Sequence, residues 1–305
     1  MKAIIVTNEA EGTAGMKLAE RPDPTPAMNE VVVQVYASGF THDELTWPST
    51  WTDRRDADRT PTIPGHELSG VVTALGYGTT GLSIGQRVFG LADWYRDGSL
   101  AEYITIEARN LAPLPDDVNF TTGAALVMPG LTAWQGIFDH GRVQAGQRVI
   151  VHGAAGVVGS MAVQLARIAG AYVIGTGRAD GCQTALDYGA QEYVDLDNDE
   201  LETLEKVDMV FDIFGGDIAK RSAGVIREGG TLVSIAGPAE VTPEGGRMVD
   251  FIVEANRQQL IELAKLVQEA KIKTNVGNIA AFDDAIAAFA PNLRIKGKTV
   301  IRIRP

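Results

Sequence analysis

The run Arg148-Val149-Ile150-Val151-His152-Gly153-Ala154-Ala155-Gly156-Val157-Val158-Gly159-Ser160 constrains the fold more than any other stretch. A short β-branched strand ends in a glycine-rich turn, and the turn opens into apolar residues at helical spacing from Val158 to Ala169. A second apolar strand follows at Ala171 to Gly175, and others at Met209 to Asp212 and Thr231 to Ile235. Near-continuous apolar strands alternating with helices predict an α/β domain: a doubly wound parallel sheet covered on both faces.

The same turn predicts a ligand. Gly156 lets the backbone approach a pyrophosphate, Gly159 lets the helix pack on the sheet, and free N–H groups at the helix start bind phosphate. Ala154, Ala155, Gly156, Val157 and Val158 form this candidate cradle. Against the usual G-x-G-x-x-G, Ala154 takes the first glycine position, with Gly153 one place earlier. The alternative is a Gly/Ala helix start needed only for close packing. At the end of the second strand, where NAD-binding proteins place an acid, this chain has Thr176, Gly177 and Arg178. A guanidinium binds a 2′-phosphate with two hydrogen bonds, so NADPH is the expected cofactor. A surface arginine capping a loop is the alternative. Phe214-Gly215 and Ala236-Gly237 follow later strands, at the carboxyl edge where a dinucleotide lies.

The first third of the chain reads differently. Short strands at Val31–Tyr36, Leu68–Leu75, Gln86–Leu91 and Leu100–Ile106 have irregular turns and no helical crossovers, which predicts a distorted barrel or sandwich. Phe120–Val127 and Leu131–Phe138 read as helices separated by Pro129-Gly130, and Val253–Ala270 reads as an amphipathic helix with Ile261, Leu263, Leu266 and Val267 on its stripe. A chain of 305 residues exceeds one ordinary core. The expected domains are residues 1–118, 119–250 and 251–305, the last returning to the first domain. Trp47 to Pro64 is a charged loop, either a lid or a solvated excursion.

A formal net charge of −12 argues against nucleic acid or an anionic membrane as partner. The single cysteine, Cys182, excludes an internal disulfide and fits a reducing compartment. The most apolar stretch is broken by His152, Gln164 and Arg167, so no membrane span is expected and the location is read as cytoplasmic.

Pro64-Gly65-His66-Glu67-Leu68-Ser69-Gly70, Ile84-Gly85-Gln86-Arg87-Val88, Gly98-Ser99-Leu100-Ala101-Glu102-Tyr103 and Gly130-Leu131-Thr132-Ala133-Trp134 join the glycine turn in one pattern. Over essentially the whole chain it resembles the medium-chain dehydrogenase/reductase superfamily, in its zinc-independent, quinone oxidoreductase-like branch. The resemblance implies a GroES-like distorted β-barrel catalytic domain, a Rossmann domain, and a homodimer formed through the sheet edge near Thr231 to Ile235. Zinc-dependent members hold the catalytic metal with cysteine, histidine and cysteine. Here the matching positions carry Thr41, His66 and Met128, which is not a competent zinc set. A weaker site from His42, Asp43, His66 and Glu67 is an alternative; otherwise His66 and Glu67 are read as structural. No metal is expected.

Without a Lewis acid, the favoured acceptor is a quinone or an α,β-unsaturated carbonyl, which is already electron-poor. By resemblance, Thr132 sits beside the nicotinamide, and Thr41, Asp43, Trp47 and Met128 border the acceptor. Trp47, Trp51, Trp94 and Tyr95 are read as an aromatic wall on which a flat acceptor stacks. Phe251 and Val253 are placed by the nicotinamide, and Lys298 reaches the cofactor or is a solvated lysine. Tyr193-Val194-Asp195-Leu196 puts leucine where the family often has a tyrosine near the adenosine phosphate. Tyr95, His42, Asp43 and solvent all remain open as proton donor. The rival readings are a zinc-free alcohol dehydrogenase, an enoyl-thioester reductase using Arg54, Arg55 and Arg59 as a basic channel, and a non-catalytic NADPH-binding protein.

Overall fold

The computed structural model describes residues 1–290 and 295–305, with the side chain of residue 42 outside the described residues. The chain forms two compact units.

Pro129–Glu254 with Ala270–Asn275 make up one unit. Its six strands are all parallel, in the order Glu192–Asp195, Tyr172–Gly177, Arg148–His152, Val207–Asp212, Ile226–Ser234, Arg247–Asp250. The strand order reverses between Arg148–His152 and Val207–Asp212, the switch point at which doubly wound sheets bind ligands. Val149, Ile150, Val151, Val173, Ile174, Val210, Phe211 and Leu232 have no exposed surface, as strands covered on both faces require. Ile150, Ile174, Val210 and Leu232 pack with Ala219 and Val225 of the helix Gly216–Val225.

One expectation is overturned here. Thr231 to Ser234 lies in an interior strand, paired with Val207–Asp212 on one side and Arg247–Asp250 on the other, so it is not a sheet edge. The covering strand is short, largely exposed and bounded by Arg247 and Asp250, which gives it no apolar signature.

The second unit comprises Met1–Met128, Ala255–Glu269 and Val276–Pro305. Its organiser is the ten-residue strand Glu30–Gly39. One side pairs with Glu67–Leu75; the other pairs with Tyr103–Glu107 through Glu30–Gln34 and with Lys298–Arg302 through Ala37–Gly39. Changing partner midway, with register shifts at Val32/Val33 and Val35/Ala37, bends the sheet into a distorted barrel. Val31, Val33, Val35, Leu68, Val72, Val88, Ile104 and Ile106 fill it. The C-terminal amphipathic helix runs from Arg257 to Gln268, and Asn256 Oδ1 accepts the Gln259 N–H to cap it. Its buried stripe is Leu260, Leu263 and Ala264, whereas Ile261 is exposed.

Pro129-Gly130 does not separate two helices. One helix spans Phe120–Trp134 through Pro129 and continues as a π-helical turn, Gln135–His140. The proline forfeits one backbone hydrogen bond. Burial of Ala124, Ala125, Leu126, Val127, Leu131 and Ala133 outweighs that loss. The two units divide inside this helix, at Met128/Pro129, because Ala124 and Ala125 pack on Ala37 and Val300. The sequence reading put that division at 118/119.

The Trp47–Pro64 segment is folded onto its own unit. It contains the helix Pro48–Trp51, Trp51 is buried with Leu45 and Ile63, and Arg59 donates to the Ser49 carbonyl at 2.5 Å.

Candidate functional site

The nucleotide turn is built from backbone. Gly153 adopts φ +59°, and a Cβ on Gly159 would stand 2.1 Å from the Gly153 carbonyl oxygen, so only glycine lets the helix approach. Gly156 caps the helix Val157–Ile168, whose first N–H groups have no intrahelical carbonyl to bind. Ala155, Gly156, Val157 and Val158 are part-exposed, while Ala154 is buried and gives its N–H to Thr176. This arrangement fits a pyrophosphate. Asn275 braces it by donating to the Ala155 carbonyl at 3.0 Å, a contact across the sequence that no local pattern announces.

At the end of the second strand, Thr176 is fully buried, and its hydroxyl is committed to His152 Nδ1 at 2.6 Å. That leaves it no surface for a cofactor. His152 Nε2 meets the Ser222 hydroxyl at 2.7 Å, and burial pulls the imidazole down to about 4. The Arg178 side chain is 77% exposed, with Asp197 at 3.9 Å, a loose pair in water. Tyr193 reaches the same corner, where its hydroxyl donates to the Arg178 carbonyl at 2.7 Å. Burial pushes that phenol up to about 12.

The later turns hang on side chains that the sequence reading missed. Asp212 is buried and accepts the N–H groups of Phe214 and Gly215 and the Ser234 hydroxyl, and Ser234 Oγ accepts from Ala236 N–H. This pair holds the Phe214-Gly215 and Ala236-Gly237 turns at neighbouring strand ends. Gln135 clamps Glu254 by both its N–H and its carbonyl, fixing the segment that carries Val253, and the Phe251 ring lies 4.5 Å from His140. Thr132 is buried on its helix.

The barrel unit brings Thr41, Trp47, Trp94 and Met128 into one network with His66. Glu44 is its hub. A fully buried carboxylate, it accepts Thr41 N–H at 3.0 Å, Gly65 N–H at 2.9 Å and His66 Nδ1 at 2.8 Å. The Trp94 ring lies 4.9 Å from the imidazole and 5.3 Å from Trp47, edge to face. The Thr41 hydroxyl points to Met128 Sδ at 3.8 Å.

A second buried pair adjoins this one. Lys298 Nζ is paired with Glu67, and it lies 3.3 Å from Thr41 Oγ1. Glu67 also accepts the Met128 N–H. Burial pushes the Glu67 carboxyl above its ordinary range, and the ammonium opposes that shift. Lys298 is therefore neither a solvated lysine nor free for a cofactor: at 6% exposure an ammonium needs its counter-charge.

Other assignments separate. Trp51 is core, with its indole N–H on the Leu45 carbonyl, and Tyr95 lies under Arg54, so neither joins Trp47 and Trp94 in the aromatic wall. Asp43 is exposed, and the side chain of His42 lies outside the described residues. Arg54 pairs with Asp93 at 2.5 Å and Arg59 with Asp97 at 3.8 Å, which neutralises much of the basic channel. Thr41, His66 and Met128 offer a hydroxyl, one imidazole nitrogen and a thioether, a donor set that does not fit zinc. Among the described residues, no cluster of three or more His, Cys, Asp or Glu side chains could hold a metal ion. Nor is any helix among them long and apolar enough to cross a membrane.

Comparison with known proteins agrees with this architecture. Residues 27–116 match the alcohol dehydrogenase GroES-like domain, and residues 157–257 match the zinc-binding dehydrogenase family. The chain is 32% identical to the 2-methylene-furan-3-one reductase of Solanum lycopersicum over 80% of its own length and 64% of that protein's. It is 30% identical to the quinone oxidoreductase of Rattus norvegicus over 72% of its length and 69% of the relative's. The quinone oxidoreductase of Coxiella burnetii superimposes with a TM-score of 0.89 at 25% identity, covering 100% of this chain and 99% of that one. A mycobacterial protein solved with NADPH gives 0.85 at 25% identity, covering 99% of this chain and 100% of that one. The barrel, the switch-point sheet and these likenesses together make the chain a member of the medium-chain dehydrogenase/reductase superfamily, in its quinone oxidoreductase-like branch.

Proposed function

We propose that the protein is an NADPH-dependent reductase that passes hydride to quinones or α,β-unsaturated carbonyl compounds without a metal ion. The observation that carries this reading is the Thr41–Met128 pair, a hydroxyl on a thioether where zinc-dependent relatives keep cysteines. The names of the tomato and rat relatives and the mycobacterial NADPH complex support the acceptor class and the cofactor.

Bound NADPH supplies the hydride. The Gly153–Gly159 turn and the first N–H groups of Val157–Ile168 would hold the pyrophosphate, and the exposed Arg178 guanidinium would meet the 2′-phosphate. Lys298 donates toward Thr41 Oγ1, which polarises the Thr41 hydroxyl. That hydroxyl gives up a weak sulfur acceptor for the acceptor's oxygen, where negative charge grows as hydride arrives. Trp47 and Trp94 supply flat apolar surface beside it.

A single cysteine supports a cytoplasmic location. For the homodimer, the strand edge that remains open beside Ile226–Ser234 is Arg247–Asp250, so that strand is the pairing surface we assign. The enoyl-thioester alternative is disfavoured by the pairing of Arg54 and Arg59. Oxidation of NADPH and NADH by purified protein, followed with a quinone and enone panel, tests the proposal. NADPH-preferring turnover is expected. Tight NADPH binding with no turnover on any acceptor makes it a non-catalytic binding protein instead.

A further inference from the structure

His66 carries a polar atom that the fold leaves unused. Its Nε2 is buried without a hydrogen-bond partner among the described residues, on a residue 2% exposed. The other buried nitrogens in that state are Nε atoms of Arg87, Arg148 and Arg304, and each of those guanidinium groups binds through its remaining nitrogens. An imidazole has no such reserve.

The other ring nitrogen settles the proton's place. Glu44 takes Thr41 N–H on Oε1 and both Gly65 N–H and His66 Nδ1 on Oε2, so every neighbour aims a donor at an acceptor-only carboxylate. Nδ1 therefore carries hydrogen, and Nε2 is a lone pair in the neutral ring and an N–H in the imidazolium. Trp94 and Trp47 hold the ring plane. Carboxylate, imidazole and a vacant far nitrogen make the orienter–base pair of proton-transfer sites. Thr41, whose hydroxyl is offered to the acceptor above, is tied to the same carboxylate.

We propose that His66 transfers the proton in this reduction, with Glu44 as its positioning residue; the assignment rests on the reductase reading above. With an enone, hydride from NADPH forms a C–H bond at the β-carbon while the C=C π bond breaks, and the electron pair moves to the carbonyl oxygen. That oxygen takes the proton from Nε2, so O–H forms as N–H breaks. The enol released reverts to the ketone in water, and water reprotonates the ring. Glu44 keeps its bond to Nδ1–H throughout.

The test compares wild type, His66→Gln and Glu44→Gln with one enone at saturating NADPH, alongside an NADPH titration. His66→Gln is expected to lose about 10²–10⁴-fold in kcat. Its NADPH affinity stays at the wild-type value, and KM moves far less than kcat. Glu44→Gln loses kcat in the same direction, and added imidazole restores turnover to His66→Gly in a saturable way. A kcat for His66→Gln within threefold of wild type overturns the assignment while leaving the reductase intact. Absence of turnover by the wild-type protein itself overturns both. Should the variants not fold, ¹⁵N-histidine-labelled wild type decides: hydroquinone binding shifts the His66 Nε2 resonance, and an unmoved Nε2 in the presence of bound hydroquinone overturns the proposal.

Discussion

In the Rossmann unit the turn that fits a pyrophosphate is made of backbone between Gly153 and Gly159, with one distant side chain, Asn275, bracing it. In the barrel unit the proposed acceptor site is made of side chains, buried at Glu44, His66, Met128 and Lys298 and part-exposed at Thr41 and Trp94, spread over most of the chain. The first depends on the absence of atoms, because a single Cβ on Gly159 collides with a carbonyl. The second depends on every charge finding its partner. A backbone site therefore tolerates changes in most side chains and fails on one methyl group, whereas a side-chain site fails wherever a partner is removed.

Removing a partner from the barrel network carries the largest expected effect. Glu67→Gln leaves the Lys298 ammonium buried without its counter-charge, at a cost of about 3–5 kcal/mol in urea unfolding. Adding Lys298→Met to that variant recovers most of the loss. No recovery would mean that the pair is not the source of the cost.

The Rossmann unit buries a histidine, His152, whose protonation opposes folding. His152 sits at about 4 when folded and at the ordinary imidazole value of 6.5 when unfolded, so the unfolded chain binds the extra proton first. Its contribution is complete above pH 6.5 and is lost as the pH falls toward 4, by roughly 3 kcal/mol. Unfolding curves across that window show the loss, and His152→Gln flattens it.

Gly159→Ala tests the backbone site directly. The added methyl costs about 1–3 kcal/mol of packing and strain and weakens NADPH at least about tenfold, with the barrel unit untouched. Wild-type NADPH affinity in this variant breaks the comparison. Arg178→Ala sharpens it with the smallest effect: NADPH weakens by about tenfold, worth ~1.4 kcal/mol, while NADH binding holds. Equal loss for both cofactors would remove Arg178 from the phosphate.

These two designs also explain what could be read without coordinates. The strand–turn–helix at Arg148–Ile168 and the parallel sheet around it were legible because their signals are local: apolar periodicity and glycine spacing. The helix through Pro129 was not, since tertiary burial overrode a local breaker. The strand Arg247–Asp250 escaped because an exposed edge strand needs no apolar alternation. In the barrel, the positions of Thr41, His66 and Met128 came from resemblance, but Glu44 and the Lys298–Glu67 pair did not show in the sequence. Their partners stand 22 and 231 residues away. An acid three residues after Thr41 and a lysine that opens the last strand look like ordinary surface residues until the fold buries them.

The central claim, that a hydroxyl, a thioether and an imidazole serve where relatives use zinc, is tested most directly by metal content and turnover measured on the same sample. Protein dialysed against chelator, shown by mass spectrometry to hold less than a tenth of a metal ion per chain, is assayed with NADPH and a quinone or enone. The account predicts unchanged turnover and no gain on adding back zinc. Turnover that disappears with the metal and returns in proportion to zinc would contradict it.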